Sequence, residues 1–350
     1  MLSISILIDN NVIIRIMSST IQETVDRYLK SVESSRSENT CKTYRHAMLA
    51  YLLLLEEKNI PPKKTDISDL HEESVDGFIQ SMRSYSASTE RLYLTAVTGF
   101  FEFLAAENLV PINLPRVRLF IKQRARKPGT RLPQFPRDAI ATILDYMERL
   151  PSTMASDLDI HEKLQQYRDR AFILTLAETG LRVHEACNLR RGDIDWSEGR
   201  AVVLGKGNRE AVVRFSRRSQ QAMDDYLKLR AALDGSSGRP LGSLPIFARH
   251  DKGAGKKIKP ITTTTGRNIV KDWVTTILGA ESVGSITPHS FRHYFVTRVL
   301  QGTGNLKMAQ ELARHKNIAV TQRYAHLSND ELDRGYWSVF EDQKKDKGDE

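Results

Sequence analysis

The sequence predicts a mainly α-helical protein of two domains. The first is a small N-terminal domain of four helices. The second is a larger α-rich domain carrying a small three-stranded antiparallel sheet. Three observations predict this. Apolar residues recur at helical spacing through residues 21–107. Residues 116–137 then break the pattern with eight basic residues, three prolines and no acidic residue. Beyond them helical spacing resumes, interrupted only at 193–216, where β-branched residues alternate about a glycine-rich turn. A chain of 350 residues has the length for two domains of ordinary size.

Thr20 and Glu23 have capping-box spacing, so ordered structure is expected to begin there. The preceding "MLSISILIDNNVIIRI" is apolar but carries Asp9 and two asparagines, and it lacks a basic start and a run near membrane length. Residues 1–17 are therefore set apart as an extension of uncertain status. Four helices are expected at roughly 21–33, 38–58, 70–83 and 87–107, with "NIPPKKTD" and "RSYSAS" as breaks. The second shows Tyr44, Ala47, Met48, Tyr51, Leu52 and Leu55 on one face, and the fourth Leu92, Ala96, Val97, Phe100, Phe101 and Leu104. The helical domain is thus expected to span 18–113, followed by an extended basic linker at 114–137. One-sided charge of this kind suits a segment lying along a phosphate backbone. Its candidate contacts are Arg116, Arg118, Lys122, Arg124, Arg126, Lys127 and Arg131.

The second domain is expected over 138–340, with helices near 138–149, 161–179, 182–190, 217–233, 264–278, 288–301, 306–314 and 318–326. The polar tail 341–350 lacks the apolar residues to fold. The net charge of +9 and pI of 9.4 point toward polyanions. Two cysteines far apart, Cys41 and Cys187, support neither a disulfide framework nor a thiolate zinc cluster, and fit a reducing cytoplasm as small core residues.

Four short stretches carry candidate chemistry. In "HSFRHYF" (289–295), Thr287 is a natural N-cap and Pro288 suits the first helical position. His289 and Arg292, three apart, then share a face near a helix N-terminus, which favours anions, while Phe291, Phe295 and Val299 form the buried stripe. A metal at His289 and His293 is the rival reading. It lacks a glutamate between the histidines, and Arg292 would repel a cation. In "TGLRVHEACNL" (179–189), Gly180 closes one helix and Arg182 opens the next, with Glu185 positioned to orient it. This is either a surface ion pair or a fixed phosphate clamp. Lys206 stands at the tip of "GKGNRE", where flanking glycines let a lysine enter a groove. In "ARHKNIAVTQRYAHL" (313–327), His315 precedes Tyr324, whose polar neighbours leave the phenol accessible as a nucleophile.

Taken in order, "TGLRVHE", "GKGNRE", "HSFRH" and "ARH…TQRY" resemble the tyrosine recombinase (phage integrase) family, most closely its Xer-like members. The resemblance spans about residues 20–330. It implies a core-binding, SAM-like helical domain and a catalytic domain that together close on DNA as a C-shaped clamp. It also implies a mechanism. Tyr324 would attack the scissile phosphorus to form a 3′-phosphotyrosyl link, and Arg182 and Arg292 would clamp the non-bridging oxygens. Lys206 would protonate the leaving 5′-oxygen. His289 would assist proton transfer, His315 would bond the phosphate, and Glu185 would support the arginine. Neither metal nor other cofactor is implied. The implied partners are double-stranded DNA with a specific core site and further copies of the chain, four at synapsis, joined through a Holliday junction. Residues 328–340 would dock on a neighbour. A cytoplasmic protein without a membrane span is expected.

The chain departs from the family at Ala313–Arg314, where Leu-Gly often precedes the second histidine. That places an extra arginine near DNA or in the turn that holds His315. Residues 150–167 and 234–260 look longer than in a minimal Xer-type chain and are expected as surface insertions. Three other functions share part of the pattern: a type IB topoisomerase, a DNA-binding protein without activity, and a phosphate-handling enzyme acting on a non-nucleic substrate. The helical domain and Xer-like spacing disfavour the first, the presence of all six polar groups the second, and the basic linker the third.

Overall fold

The computed structural model describes residues 19–126, 136–153, 158–205, 209–251, 257–315 and 321. The 1–17 extension, Lys127, Arg131, Lys206, Tyr324, residues 328–340 and the 341–350 tail lie outside the described residues, as does the helix expected at 318–326 except for residue 321. The chain divides into two compact units between residues 130 and 131.

The first unit contains α1 (Ile21–Ser35), α2 (Glu38–Glu57), α3 (Glu73–Ser81), α4 (Ala87–Ala106) and α5 (Leu114–Arg124). The Thr20 hydroxyl accepts from the Glu23 amide at 3.2 Å, and the Glu23 carboxylate accepts from the Thr20 amide at 2.9 Å, so the expected capping box is formed. Tyr51, Phe78, Phe100 and Phe101 meet edge-on at the centre of the core. The third helix begins at Glu73 rather than at 70, because Leu70 is buried in the extended segment before it. On α4 the inward leucine is Leu94, while Leu92 is 47% exposed.

The expected extended linker is corrected from its first residues. Residues 114–124 form α5, which packs on α3 and α4 with Val117 fully buried, and so belong to the helical unit. Asn113 caps it, accepting from the Arg116 amide at 3.0 Å, and a proline follows at the helix start. The physical reason is that carboxylates of the bundle neutralise its arginines. Arg116 pairs with Glu73, Arg118 with Glu102 and Arg124 with Asp76. The Arg126 amide and Nε both donate to the fully buried carboxylate of Glu90, at 2.8 and 2.5 Å. Lys122 is exposed and makes no ion pair among the described residues.

The second unit contains α6 (Arg137–Thr153), α7 (Ile160–Thr179), α8 (Val183–Asn188), β1 (Ile194–Asp195), β2 (Arg200–Gly205), β3 (Arg209–Arg214), α9 (Arg217–Leu229), α10 (Ala231–Gly235), α11 (Thr263–Leu278), α12 (Pro288–Thr303) and α13 (Leu306–Ala313). Helix α7 is the centre of the unit: Ala171 through Ala177 are buried on every side, and α6, α9, α11 and α12 pack around it. The sheet has the order β1-β2-β3, all antiparallel, with Val202 opposite Val212 and Ile194 opposite Ala201. Ala201, Val203 and Val213 face the core.

Both stretches expected as surface insertions contain parts of the fold itself. Residues 160–167 are the first two turns of α7. Within 234–260, Leu244, Ile246, Phe247 and Ala248 are fully buried. They surround a buried polar knot. Arg230 donates to Asp234 at 2.8 and 3.1 Å, to the carbonyls of Pro245 and Ile246 at 2.8 Å each, and to the Tyr226 hydroxyl at 3.1 Å. Every one of those donors is matched, which is what makes a fully buried guanidinium tolerable. Cys41 and Cys187 are both buried, and burial pushes the Cys187 thiol up to about 12. Among the described residues no helix is long and apolar enough to cross a membrane.

Candidate active site

The site is built at three chain corners of the second unit. The first lies between α7 and α8. Gly180 closes α7 in the left-handed region, at φ +60°, and a β-carbon there would fall 2.5 Å from the Phe295 ring. Arg182 is the N-cap of α8, and its amide donates to Glu185 Oε2 while its guanidinium donates to Oε1, both at 2.9 Å. Glu185 is 1% exposed in its side chain and Arg182 39%. The arginine is therefore held along one edge and presents the other to solvent. Burial pushes the Glu185 carboxyl up, but the Arg314 charge and the Arg182 amide and guanidinium outweigh this and hold it below the usual carboxylate range.

The second corner is the start of α12. Thr287 caps it, Pro288 follows, and the Ser290 hydroxyl accepts from the Thr287 amide at 3.0 Å. Of the expected apolar stripe only Phe291 is fully buried. Val296 is buried in a smaller cluster with Ala309 and Ala313, against which Phe295 and Val299 are partly buried. Arg292 is also buried. Its Nη1 donates to the carbonyl of Gly180 and its Nη2 to that of Ala313. A guanidinium has five donors, so two fix its plane and others remain for an anion. Burial first, then the Arg182 and Arg314 charges, push its pKa down to about 9, which leaves it charged at neutral pH.

The third corner follows α13. His315 Nδ1 lies 2.9 Å from the hydroxyl of the buried Thr321, which fixes the ring. Burial, then Arg292 and Arg182, push the His315 pKa down to about 4. The same causes lower His289. His293 is held at about 4 by burial, then by His289 and Arg292. The His289 and His293 rings meet edge-on with centroids 4.2 Å apart. The histidines are thus neutral at pH 7, and the positive charge of the site rests on arginines.

Arg182, Glu185, His289, Arg292 and His315, all singled out by sequence, come together here. Lys206 and Tyr324 lie outside the described residues, and the candidate DNA contacts Arg116, Arg118, Lys122, Arg124 and Arg126 lie on the other unit. Sequence reasoning missed the Gly180 carbonyl as a shared acceptor, and it gave Thr321 no role. Beside His289 a cleft of about 500 Å³ is lined by Arg267, Lys271 and Thr287, two further cations that sequence did not single out. Among the described residues there is no group of three or more side chains of metal-ligating type.

Guanidiniums fixed around a buried carboxylate, with neutral imidazoles beside them, suit an anion whose charge grows during reaction. The Phage integrase family matches residues 138–331, and its N-terminal SAM-like domain matches residues 25–108. The chain belongs to the phage integrase family of tyrosine recombinases, enzymes that cleave and rejoin DNA strands at specific sites. Among curated relatives, the tyrosine recombinase XerC of Staphylococcus epidermidis is 29% identical over 325 residues, covering 93% of this chain and 98% of that protein. The fold matches the XerH site-specific recombinase bound to difH substrate in a pre-cleavage complex, with TM-score 0.64, 15% identity, and 90% and 95% of the two chains covered. It also matches the Tn1549 transposon integrase in complex with a circular intermediate DNA, with TM-score 0.63, 17% identity, and 92% and 100% covered.

Proposed function

We propose that this recombinase exchanges strands between two specific duplex sites, via a Holliday junction, through a covalent tyrosyl intermediate. The convergence of Arg182, Arg292, His289 and His315 about Gly180 and Glu185 carries this reading. The hydroxyl of Tyr324 attacks the scissile phosphorus, the P–O5′ bond breaks, and the DNA 3′ end is left as a phosphotyrosyl ester. Lys206 protonates the departing 5′-oxygen. Arg182 and Arg292 stabilise the charge that grows on the non-bridging oxygens. Neutral His289 can take up the phenol proton, and His315, fixed by Thr321, donates to the phosphate. The 5′-hydroxyl of a partner duplex then reverses the attack, so phosphodiester energy is conserved and no nucleotide is consumed.

DNA is the partner to which the solved XerH and Tn1549 complexes point. Arg267 and Lys271 suit the backbone flanking the scissile phosphate. On the helical unit, Arg116 and Arg118 hold exposed carboxylates in pairs worth roughly 0–1 kcal/mol each, which a phosphate can replace, while Arg124 holds the half-buried Asp76. Exposed Lys122 adds to that surface, Lys127 and Arg131 are further candidate contacts by sequence, and Arg126 is committed to Glu90. Four copies act at synapsis, with residues 328–340 docked on a neighbour, in the cytoplasm where the DNA lies.

The test is a covalent adduct on a suicide duplex nicked beside the scissile phosphate, run in EDTA. Wild type is expected to form it and Tyr324→Phe to form none. Tight site-specific binding without an adduct would instead favour a DNA-binding protein without cleavage.

A further inference from the structure

Arg314 occupies a backbone position that suits another residue. It caps α13 in the left-handed region, at φ 56° and ψ 44°. Among the described non-glycine residues only Asn59 and Asn108 share a positive φ, and asparagine tolerates it. A long β-substituted cation at such a corner is disfavoured, and glycine would satisfy the turn.

The side chain compounds this. An arginine at a helix end ordinarily extends into water. That of Arg314 is 11% exposed and folds back over the site, where Nη2 donates to the Gly180 carbonyl at 3.2 Å and to Glu185 Oε2 at 3.1 Å. Its Nε and Nη1 are buried without a partner among the described residues. Unmet buried donors on a charged group oppose folding. Backbone conformation and donor balance therefore both weigh against this arginine as a stabilising device.

Both acceptors of Nη2 are shared with proposed catalytic groups. The Gly180 carbonyl also holds Arg292, and Glu185 Oε2 also holds the amide of Arg182. The residue after Arg314 is His315. One guanidinium thus ties the α7–α8 corner, the second arginine and the histidine turn together, across 129 positions of sequence to Glu185 and 134 to Gly180. We infer that Arg314 is a positioning residue, which acts through Glu185 and Gly180 to hold Arg182, Arg292 and His315 in one geometry for phosphoryl transfer. The inference rests on the reading of those three as phosphate-binding groups.

Host genomic fragments retained by the full-length protein supply the core site. The probes are duplexes of that sequence, nicked at successive positions. Arg314→Gly is expected to keep or raise the thermal midpoint and to bind the duplex within about twofold of wild type, since substrate binding is not what it removes. Its single-turnover adduct formation is expected to fall about a hundredfold, the loss that a displacement near 1 Å brings. Arg314→Lys, which keeps the charge and several donors on one nitrogen but on a head of different shape and reach, is expected to recover part of the rate. In combination with Glu185→Gln, Arg314→Gly is expected to be no slower than the slower single variant, because both break one chain of contacts.

Arg314→Asn also tolerates the left-handed corner and replaces the glycine variant if that one is unstable. Adduct formation at the wild-type rate by either folded variant overturns the inference. So does failure of both to fold beside a fully active Arg314→Lys, which assigns a purely structural role. Arg182→Lys and Tyr324→Phe run alongside. If these two cleave normally, the reading of the site itself fails; if they are defective while Arg314→Gly is not, only the present inference falls.

Discussion

Replacing Gly180 by alanine tests the geometry of the site at its most constrained point. The backbone there has φ +60°, which costs an L-residue about 1–2 kcal/mol. The new β-carbon would lie 2.5 Å from Cδ1 and 3.0 Å from Cε1 of Phe295, so the ring must move. Overpacking of that kind costs about 1–3 kcal/mol. The sum, about 2–5 kcal/mol, corresponds to a fall in Tm of roughly 5–15 °C for a unit of this size. The assay is urea or thermal unfolding followed by tryptophan fluorescence. All three tryptophans, Trp196, Trp273 and Trp337, lie in the second unit, so the signal reports that unit alone. Phe295→Leu in the same chain should recover part of the loss, so that the two changes are less than additive. Cleavage should fall further than DNA affinity, because the displaced Gly180 carbonyl orients Arg292 and Arg314. A Gly180→Ala protein within about 0.5 kcal/mol of wild type would refute the reasoning.

Three other outcomes are expected. Stability of the second unit should decline as pH falls below the usual histidine value of 6.5. The unfolded chain takes up protons there, while the folded His293 and His315 do so only near 4 and His250 near 3. A urea midpoint that is flat or rises between about pH 7 and pH 5 would contradict this. Asp234→Ala should cost about 3–5 kcal/mol, since it strips the buried Arg230 and its neighbour Arg191 of their shared carboxylate, and the tryptophan-monitored midpoint measures it. Glu90→Gln should weaken the anchoring of α5 by about 1–3 kcal/mol, read as faster amide exchange across Leu114–Arg124. Unchanged exchange would show that the Arg126–Glu90 contact does not hold that helix.

What could be read in advance was short-range. Arg182 and Glu185 are one turn apart, as are His289 and Arg292, so their shared faces follow from helical spacing once Gly180 and Thr287–Pro288 mark the helix ends. The first helix start was legible for the same reason, from Thr20 and Glu23. Misreadings occurred where the deciding partner was remote. The basic run read as an extended linker for a phosphate backbone because the carboxylates that neutralise it lie on α3 and α4, with Glu90 36 residues before Arg126. Leu92 and Leu94 both fit a helical stripe, and only packing against the neighbouring helices selects Leu94. Residues 234–260 read as an insertion from their length, because no local pattern shows that the carbonyls of Pro245 and Ile246 hold the buried Arg230.

The sequence by itself thus determined the helical class, the division into two domains, and the polar groups of the site with the chemistry they suit. These rest on periodicity, capping and motif spacing, which are properties of neighbouring residues. The tertiary structure alone decided that Gly180, Glu185, Arg292 and Arg314 share hydrogen bonds, that α5 belongs to the helical unit, and that the Arg314 side chain turns inward rather than toward water. Contacts across more than a hundred residues are set by the packing of whole helices, and no local pattern carries that information.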